Sequence, residues 1–96
     1  MSTAQEIVNE IVGHVGSDKH SDWYAGIAAK PRERLFNDHK VDEQTRDWIY
    51  RTADTNAAAR SAEDALHKAG FKGGPGGGDS ATTAVYAYKI TRTTVE

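Results

Sequence analysis

The residues best suited to proton transfer and phosphate chemistry lie between positions 23 and 39. Tyr24 and His39 carry groups that can move a proton, and Arg34 carries a planar guanidinium that can pair with a phosphate. Arg34 and His39 are five positions apart on a predicted helix, which in regular α-helical geometry sets them about 140° apart around the axis. Gly26 precedes them at a point where a ligand or a second backbone can approach closely. The same spacing also fits a purely structural role, in which Tyr24 is half-buried, Arg34 faces solvent and His39 is packed. The catalytic and the structural interpretation both stay open.

Glu63 is the candidate metal ligand. It borders the small apolar stripe of a predicted helix, where a carboxylate can hold Mg²⁺ or Mn²⁺ while water and a substrate phosphate complete the shell. An ordinary surface glutamate paired with His67 at i,i+4 is the alternative. The four histidines lack zinc-type spacing, and the glycine-rich stretch 73–78 lacks the lysine and Ser/Thr of a P-loop, so we interpret the stretch as a connector.

Composition narrows the class of protein that can carry these groups. The 96 residues are 38% hydrophobic and 27% charged, which is typical of one small globular domain, 1–96. The absence of cysteine excludes disulfides and thiolate metal sites, and a net charge of −2 disfavours sequence-independent coating of nucleic acid. With no long apolar run and no leader pattern, we expect a cytoplasmic protein without a membrane partner.

The helices and strands that must position the candidate groups are predicted from the spacing of apolar residues and from the turn residues between them. Apolar spacing at the helical period predicts two amphipathic helices, and aromatic or β-branched runs predict three strands. In chain order α-β-α-β-α-β, we predict a helix at 4–15, a strand and helix over 23–40, a strand at 48–53, a helix at 57–69, the connector 73–78 and a strand at 84–91. The expected fold class is α+β, with a small three-stranded, mainly antiparallel sheet flanked by helices.

The stretch 23–39, WYAGIAAKPRERLFNDH, resembles the YIG strand, turn and arginine-bearing helix of the GIY-YIG nuclease domain. Tyr24, Ala25 and Gly26 stand where YIG would, Arg34 matches the helix arginine, and His39 matches the residue one turn later. The segments at 48–53 and 57–69 are similar to the family's next strand and its glutamate helix, with Glu63 at the metal-binding position. The resemblance covers about residues 22–70.

The order of the segments departs from the family, whose GIY strand precedes YIG by about ten residues. Here the N-terminal region reads as a helix, and the GIY-like strand is the one at 84–91, with Tyr88 matching the tyrosine. We therefore expect a circularly permuted version, in which the last strand lies beside Tyr24 and both phenols converge near Arg34 and Glu63. Ala25 and Ala87 replace the usual isoleucines, and the family's later asparagine has no match.

The resemblance implies Mg²⁺- or Mn²⁺-dependent hydrolysis of a phosphodiester in DNA, with Glu63 holding the metal. The implied catalytic residues are Tyr24, Arg34, His39 and Tyr88, and a basic face for the DNA backbone would comprise Arg32, Arg51, Lys89 and Arg92. So small a domain would take its specificity from a protein partner or from substrate shape. The alternatives are a catalytically silent module of the same fold that binds protein or nucleic acid, and an unrelated small α+β domain.

Overall fold

The computed structural model describes residues 3–45, 47–73 and 82–95. It confirms the α+β class and the predicted order of elements. Apart from Gly73, the predicted glycine-rich connector 73–78 lies outside the described residues. The elements are α1 (Ala4–Val15), a 3-10 turn (His20–Asp22), β1 (Trp23–Ala28), α2 (Pro31–Glu33) continued by a π-helical turn (Arg34–Asp38), β2 (Trp48–Thr52), α3 (Asn56–Lys68) and β3 (Ala84–Lys89).

The last strand, β3, lies in the middle of the sheet and is antiparallel to both β1 and β2. Its register opposes Tyr88 to Tyr24 and Tyr86 to Gly26, so the predicted pairing of the last strand with β1 is confirmed. On its other side β1 meets Lys72 in a short parallel bridge, in which the Ala25 amide donates to the Lys72 carbonyl at 2.8 Å.

Because side chains alternate across a strand, this register gives the sheet two different faces. The aliphatic face consists of Ala25, Ile27, Ile49, Val85 and Ala87, and it packs with α1 and α3 in one buried core. The aromatic face consists of Tyr24, Gly26, Trp48, Tyr50, Tyr86 and Tyr88, with Leu35 and Val41 packed against it. Among the described residues, no helix is both long and apolar enough to cross a membrane.

Helices α1 and α3 begin where their sequences provide caps. The Thr3 side chain accepts from the Glu6 amide while the Glu6 carboxylate accepts from the Thr3 amide, which is a complete capping box. The Thr55 side chain accepts from the Ala58 amide at the start of α3. The small residues of α3, such as Ala59 and Ala62, are fully buried, so this helix lies close to the sheet.

The segment from 31 to 39 differs from the regular α-helix that the sequence predicts. After three α-helical residues the chain widens into the π-helical turn, and the His39 amide donates to the Arg34 carbonyl at 2.9 Å. A bond from i+5 to i places residue 39 beneath residue 34 along the axis, so the 140° separation expected for an α-helix is wrong. Lys40 then adopts a left-handed conformation at φ 58°, which ends the helical path.

Candidate active site

Four rings on the aromatic face form one cluster, which we call the tyrosine–histidine cluster: Tyr24, His39, Tyr86 and Tyr88. The Tyr24 ring stacks on Tyr88 with centroids 5.2 Å apart, and it lies 4.9 Å from the His39 ring. His39 is 4.7 Å from Tyr88 and 5.5 Å from Tyr86. The pairing of β1 with β3 supplies the three phenols, and the end of the π-helical turn supplies the imidazole.

Hydrogen bonds tie the cluster together through His39. Its Nε2 lies 2.8 Å from the Tyr86 hydroxyl, and its Nδ1 lies 2.6 Å from the Val95 carbonyl and 3.0 Å from the Tyr88 hydroxyl. The Tyr88 hydroxyl also donates to the Val95 carbonyl at 3.2 Å. Tyr88 is fully buried, whereas Tyr24 is only partly buried, and its hydroxyl makes no hydrogen bond with the described part of the chain. Tyr24 is thus the phenol of the cluster most open to an arriving ligand.

The Tyr86 hydroxyl lies across the backbone of β1 at Gly26. A Cβ placed on Gly26 would come within 2.7 Å of that hydroxyl, so only glycine leaves room for it. Burial raises the pKa of the Tyr86 phenol above its ordinary value, and Tyr24 and Glu63 raise it further while Arg34 lowers it. The Tyr86 phenol therefore holds its proton more strongly than an ordinary tyrosine does.

Glu63 reaches this region from α3, on the outer side of β1. One turn further along α3, the His67 Nε2 lies 2.9 Å from the Ala25 carbonyl, which fixes that part of the helix against the strand edge. Because four helical residues span about 6 Å, Glu63 lies beside the next part of the strand, around Gly26 and Ile27.

The Glu63 side chain is suited to a cation. The residue is 8% exposed, and burial raises the pKa of its carboxyl, although the charges of His67 and Arg60 oppose that effect. It makes no hydrogen bond or ion pair with any described residue, so its charge is only weakly compensated. The described residues hold no group of three or more potential metal ligands. A single carboxylate agrees with the way proteins hold Mg²⁺, through one or two carboxylates plus substrate phosphates and water.

Arg34 lies at the start of the π-helical turn, in a solvent-exposed groove near the end of β1. Its side chain is half exposed and lies 3.6 Å from the Asp38 carboxylate one turn later. It contributes to a groove of about 250 Å³ that begins at the end of β1 and is lined by Ala28, Ala29, Lys30, Glu33, Arg34 and Asp38. An exposed ion pair of this kind contributes little to stability, so the guanidinium can exchange Asp38 for a phosphate at small cost.

Of the four cations predicted to form a basic face, Arg32 and Arg51 line one groove beside β2, and Lys89 and Arg92 are not among the residues of that groove. Arg32 is paired with Glu43 on the aromatic side, with its guanidinium 5.1 Å from the Phe36 ring centroid. Arg51 pairs with Glu10 of α1, and Lys89 pairs with Asp18. By the alternation along their strands, Arg51 and Lys89 both lie on the aliphatic side of the sheet. Arg92 lies in the exposed turn after β3 and makes no ion pair with the described residues.

Arg34 lines the groove at the far end of β1, and Glu63 lies on α3. Tyr24, His39 and Tyr88 lie together in the tyrosine–histidine cluster, with a group that sequence reasoning did not select. That group is the Tyr86 hydroxyl, and its signal in the sequence is its position two residues before Tyr88 on the same face of the strand. No family model matches the chain, and no match was found among curated proteins or solved structures.

Proposed function

We propose that the chain is a circularly permuted GIY-YIG-like domain that hydrolyses phosphodiesters in DNA with Mg²⁺ or Mn²⁺. One observation carries the proposal: the Tyr86 hydroxyl is held between Gly26 and His39 Nε2, beside the partly exposed Tyr24 ring. A phenol and an imidazole in contact can move the proton of an attacking water, and a guanidinium and a carboxylate, here Arg34 and Glu63, are the further groups that phosphodiester hydrolysis requires.

Each side chain has a role that fits its exposure. Arg34, half exposed at the groove, pairs with the non-bridging oxygens of the phosphate and offsets the charge that develops on them. Tyr24, partly exposed, contacts the attacking water or the phosphate through its hydroxyl. Tyr86 and His39 lie behind it and accept the proton that the water loses. Tyr88 is fully buried and supports His39 from below rather than touching substrate.

Glu63 is the residue that would hold the divalent cation. A cation beside this carboxylate offsets the free energy that its burial costs, which explains a charge so near the core. When bound, the metal supplies positive charge that stabilises the leaving oxygen. The cation and the Arg34 guanidinium would together neutralise a phosphate that the net negative charge of the chain otherwise repels.

A nicking assay on supercoiled plasmid DNA tests this proposal. Wild type, Glu63→Gln and Arg34→Ala are compared with Mg²⁺ or Mn²⁺ present, and Asp54→Asn and Lys19→Ala serve as controls at exposed positions. We expect the first two variants to lose roughly 100-fold or more in rate, because each removes charge stabilisation at the phosphate, and the controls to match wild type. Equal background cleavage by all five proteins would contradict the proposal.

A catalytically silent binding module is the second candidate. The pairing of Arg32, Arg51 and Lys89 with carboxylates favours the protein-binding form of such a module, because cations already compensated release few counterions from DNA. A gel-shift experiment without metal separates the two candidates. Salt-sensitive binding without any cleavage supports a nucleic-acid-binding module, whereas metal-dependent nicking supports the nuclease.

A further inference from the structure

The segment that follows β3 turns back and contacts His39 at two points. The Val95 amide donates to the His39 carbonyl at 2.7 Å, and the Val95 carbonyl lies 2.6 Å from His39 Nδ1. The Val95 side chain is 52% exposed, so burial of its isopropyl group is not what holds this segment in place. The backbone of Val95 is therefore the part of the residue that matters to His39.

These contacts fix where the protons of the cluster lie. A carbonyl oxygen can only accept, so His39 Nδ1 carries the hydrogen that Val95 receives. A neutral imidazole has one donor and one acceptor nitrogen, which makes Nε2 the acceptor and the Tyr86 hydroxyl its donor at 2.8 Å. The Tyr88 hydroxyl donates to the same Val95 carbonyl, so its oxygen is left to accept from Nδ1.

We propose that Val95 is a positioning residue, whose backbone carbonyl sets the tautomer of His39 so that Nε2 can take a proton from Tyr86. The catalytic meaning of this proposal rests on the function proposed above, but the tautomer does not. In the proton relay the Tyr86 O–H bond breaks and an Nε2–H bond forms while the Tyr86 oxygen takes a proton from the attacking water. Tyr86 thus ends neutral and His39 ends as an imidazolium, which the Val95 carbonyl stabilises through Nδ1–H.

Threonine hydroxyls shape the turn that delivers Val95. The Thr94 hydroxyl accepts from the Thr91 amide at 2.9 Å and donates to the Thr91 carbonyl at 3.1 Å. The Thr91 hydroxyl in turn accepts from the Thr93 amide at 3.3 Å. Replacing Thr94 by valine removes both of its hydrogen bonds without changing the shape of the side chain, so it loosens this turn and leaves the core intact.

Nitrogen-15 NMR of the histidine rings in the full chain reads the tautomer directly. We expect wild-type His39 to be protonated at Nδ1. Thr94→Val should raise the population of the Nε2-protonated form about fivefold, which corresponds to the loss of one hydrogen bond. Thr52→Val, an isosteric change at an exposed position on β2, is the control and should leave the tautomer unchanged. The amide spectrum checks that each variant is folded.

Two results would overturn the proposal. One is a wild-type His39 protonated at Nε2, and the other is a Thr94→Val protein whose tautomer ratio equals that of wild type. Val95→Ala keeps both backbone groups and should behave as wild type, so a changed tautomer in that variant would show that packing positions the segment. Because none of these measurements requires cleavage, failure of the nuclease proposal would leave their outcomes interpretable.

Discussion

The two faces of the sheet bury their residues with different chemistry. The aliphatic face is closed by α1 and α3, and its buried members are alanines, isoleucines and a valine. The aromatic face buries phenols and an imidazole, and it relies on hydrogen bonds through His39 to satisfy them. The difference indicates that the two faces have different roles. The aliphatic face stabilises the fold, and this stability allows the aromatic face to hold polar groups in fixed positions.

The largest loss of stability should come from a cavity under the aliphatic face. Leu66 is fully buried between α3 and the sheet, so Leu66→Ala should lower the free energy of unfolding by about 2–5 kcal/mol in urea titrations. Ser61→Ala, at an exposed position of the same helix, should change it by less than about 0.5 kcal/mol. A Leu66→Ala variant as stable as Ser61→Ala would show that this face is not the source of stability.

Gly26→Ala tests the aromatic face by crowding it. The new Cβ would lie 2.7 Å from the Tyr86 hydroxyl and must displace it, so we expect a loss of about 1–3 kcal/mol, measured by thermal unfolding. Gly13→Ala is the matched control, because it has open space in α1 and should stabilise the chain by about 0.5–1 kcal/mol. Equal effects in the two variants would contradict the close approach of Tyr86 to β1.

Tyr86→Phe and Tyr88→Phe test which phenol of the aromatic face transfers a proton and which only positions His39. Tyr86→Phe leaves His39 Nε2, and Tyr88→Phe leaves the Val95 carbonyl, with one hydrogen bond fewer, so both should cost about 1–2 kcal/mol in urea unfolding. The proposed cleavage should fall mainly in Tyr86→Phe, since its hydroxyl exchanges the proton, while Tyr88→Phe retains more activity. The opposite ranking in the plasmid assay would reassign the reactive phenol to Tyr88.

Glu63→Gln should have the smallest effect on stability, and the sign depends on pH. Burial raises the pKa of Glu63 in the folded chain, so the folded state keeps its proton to higher pH than the unfolded state. Wild-type stability therefore falls as pH rises from 4.5, the ordinary pKa, through the raised folded pKa, and the variant lacks that fall. At neutral pH we expect Glu63→Gln to be more stable by less than about 1 kcal/mol, and equal to wild type in acid. Unfolding at several pH values measures the difference.

Regular periodicity made most of the fold predictable from sequence. The stripe of Ile7, Ile11 and Val15 predicts α1, and the alternation along 84–91 predicts β3, because each pattern buries one face of its element. The placement of β3 beside β1 followed from the family resemblance, since periodicity does not specify strand order.

The parts of the site that could not be predicted depend on contacts distant in sequence. The π-helical turn departs from local helical preference, and it coincides with the buried positions of Leu35 and His39. Val95 contacts His39 across 56 positions of sequence, which no local pattern signals. Tyr86 and Tyr88 share one face of β3, and only the register shows that Tyr86 lies opposite Gly26 whereas Tyr88 lies opposite Tyr24.

The central claim is that Glu63 and the tyrosine–histidine cluster belong to one cation-dependent site, and paramagnetic Mn²⁺ tests it most directly. Titration of Mn²⁺ into the nitrogen-15-labelled chain should broaden the amides of Gly26 and Ile27 most strongly, with progressively weaker broadening across β3 to β2. Glu63→Gln should abolish this broadening, and Glu10→Gln should retain it. Broadening centred on another acidic patch, such as Asp42 and Glu43, or persisting unchanged in Glu63→Gln, would contradict the claim.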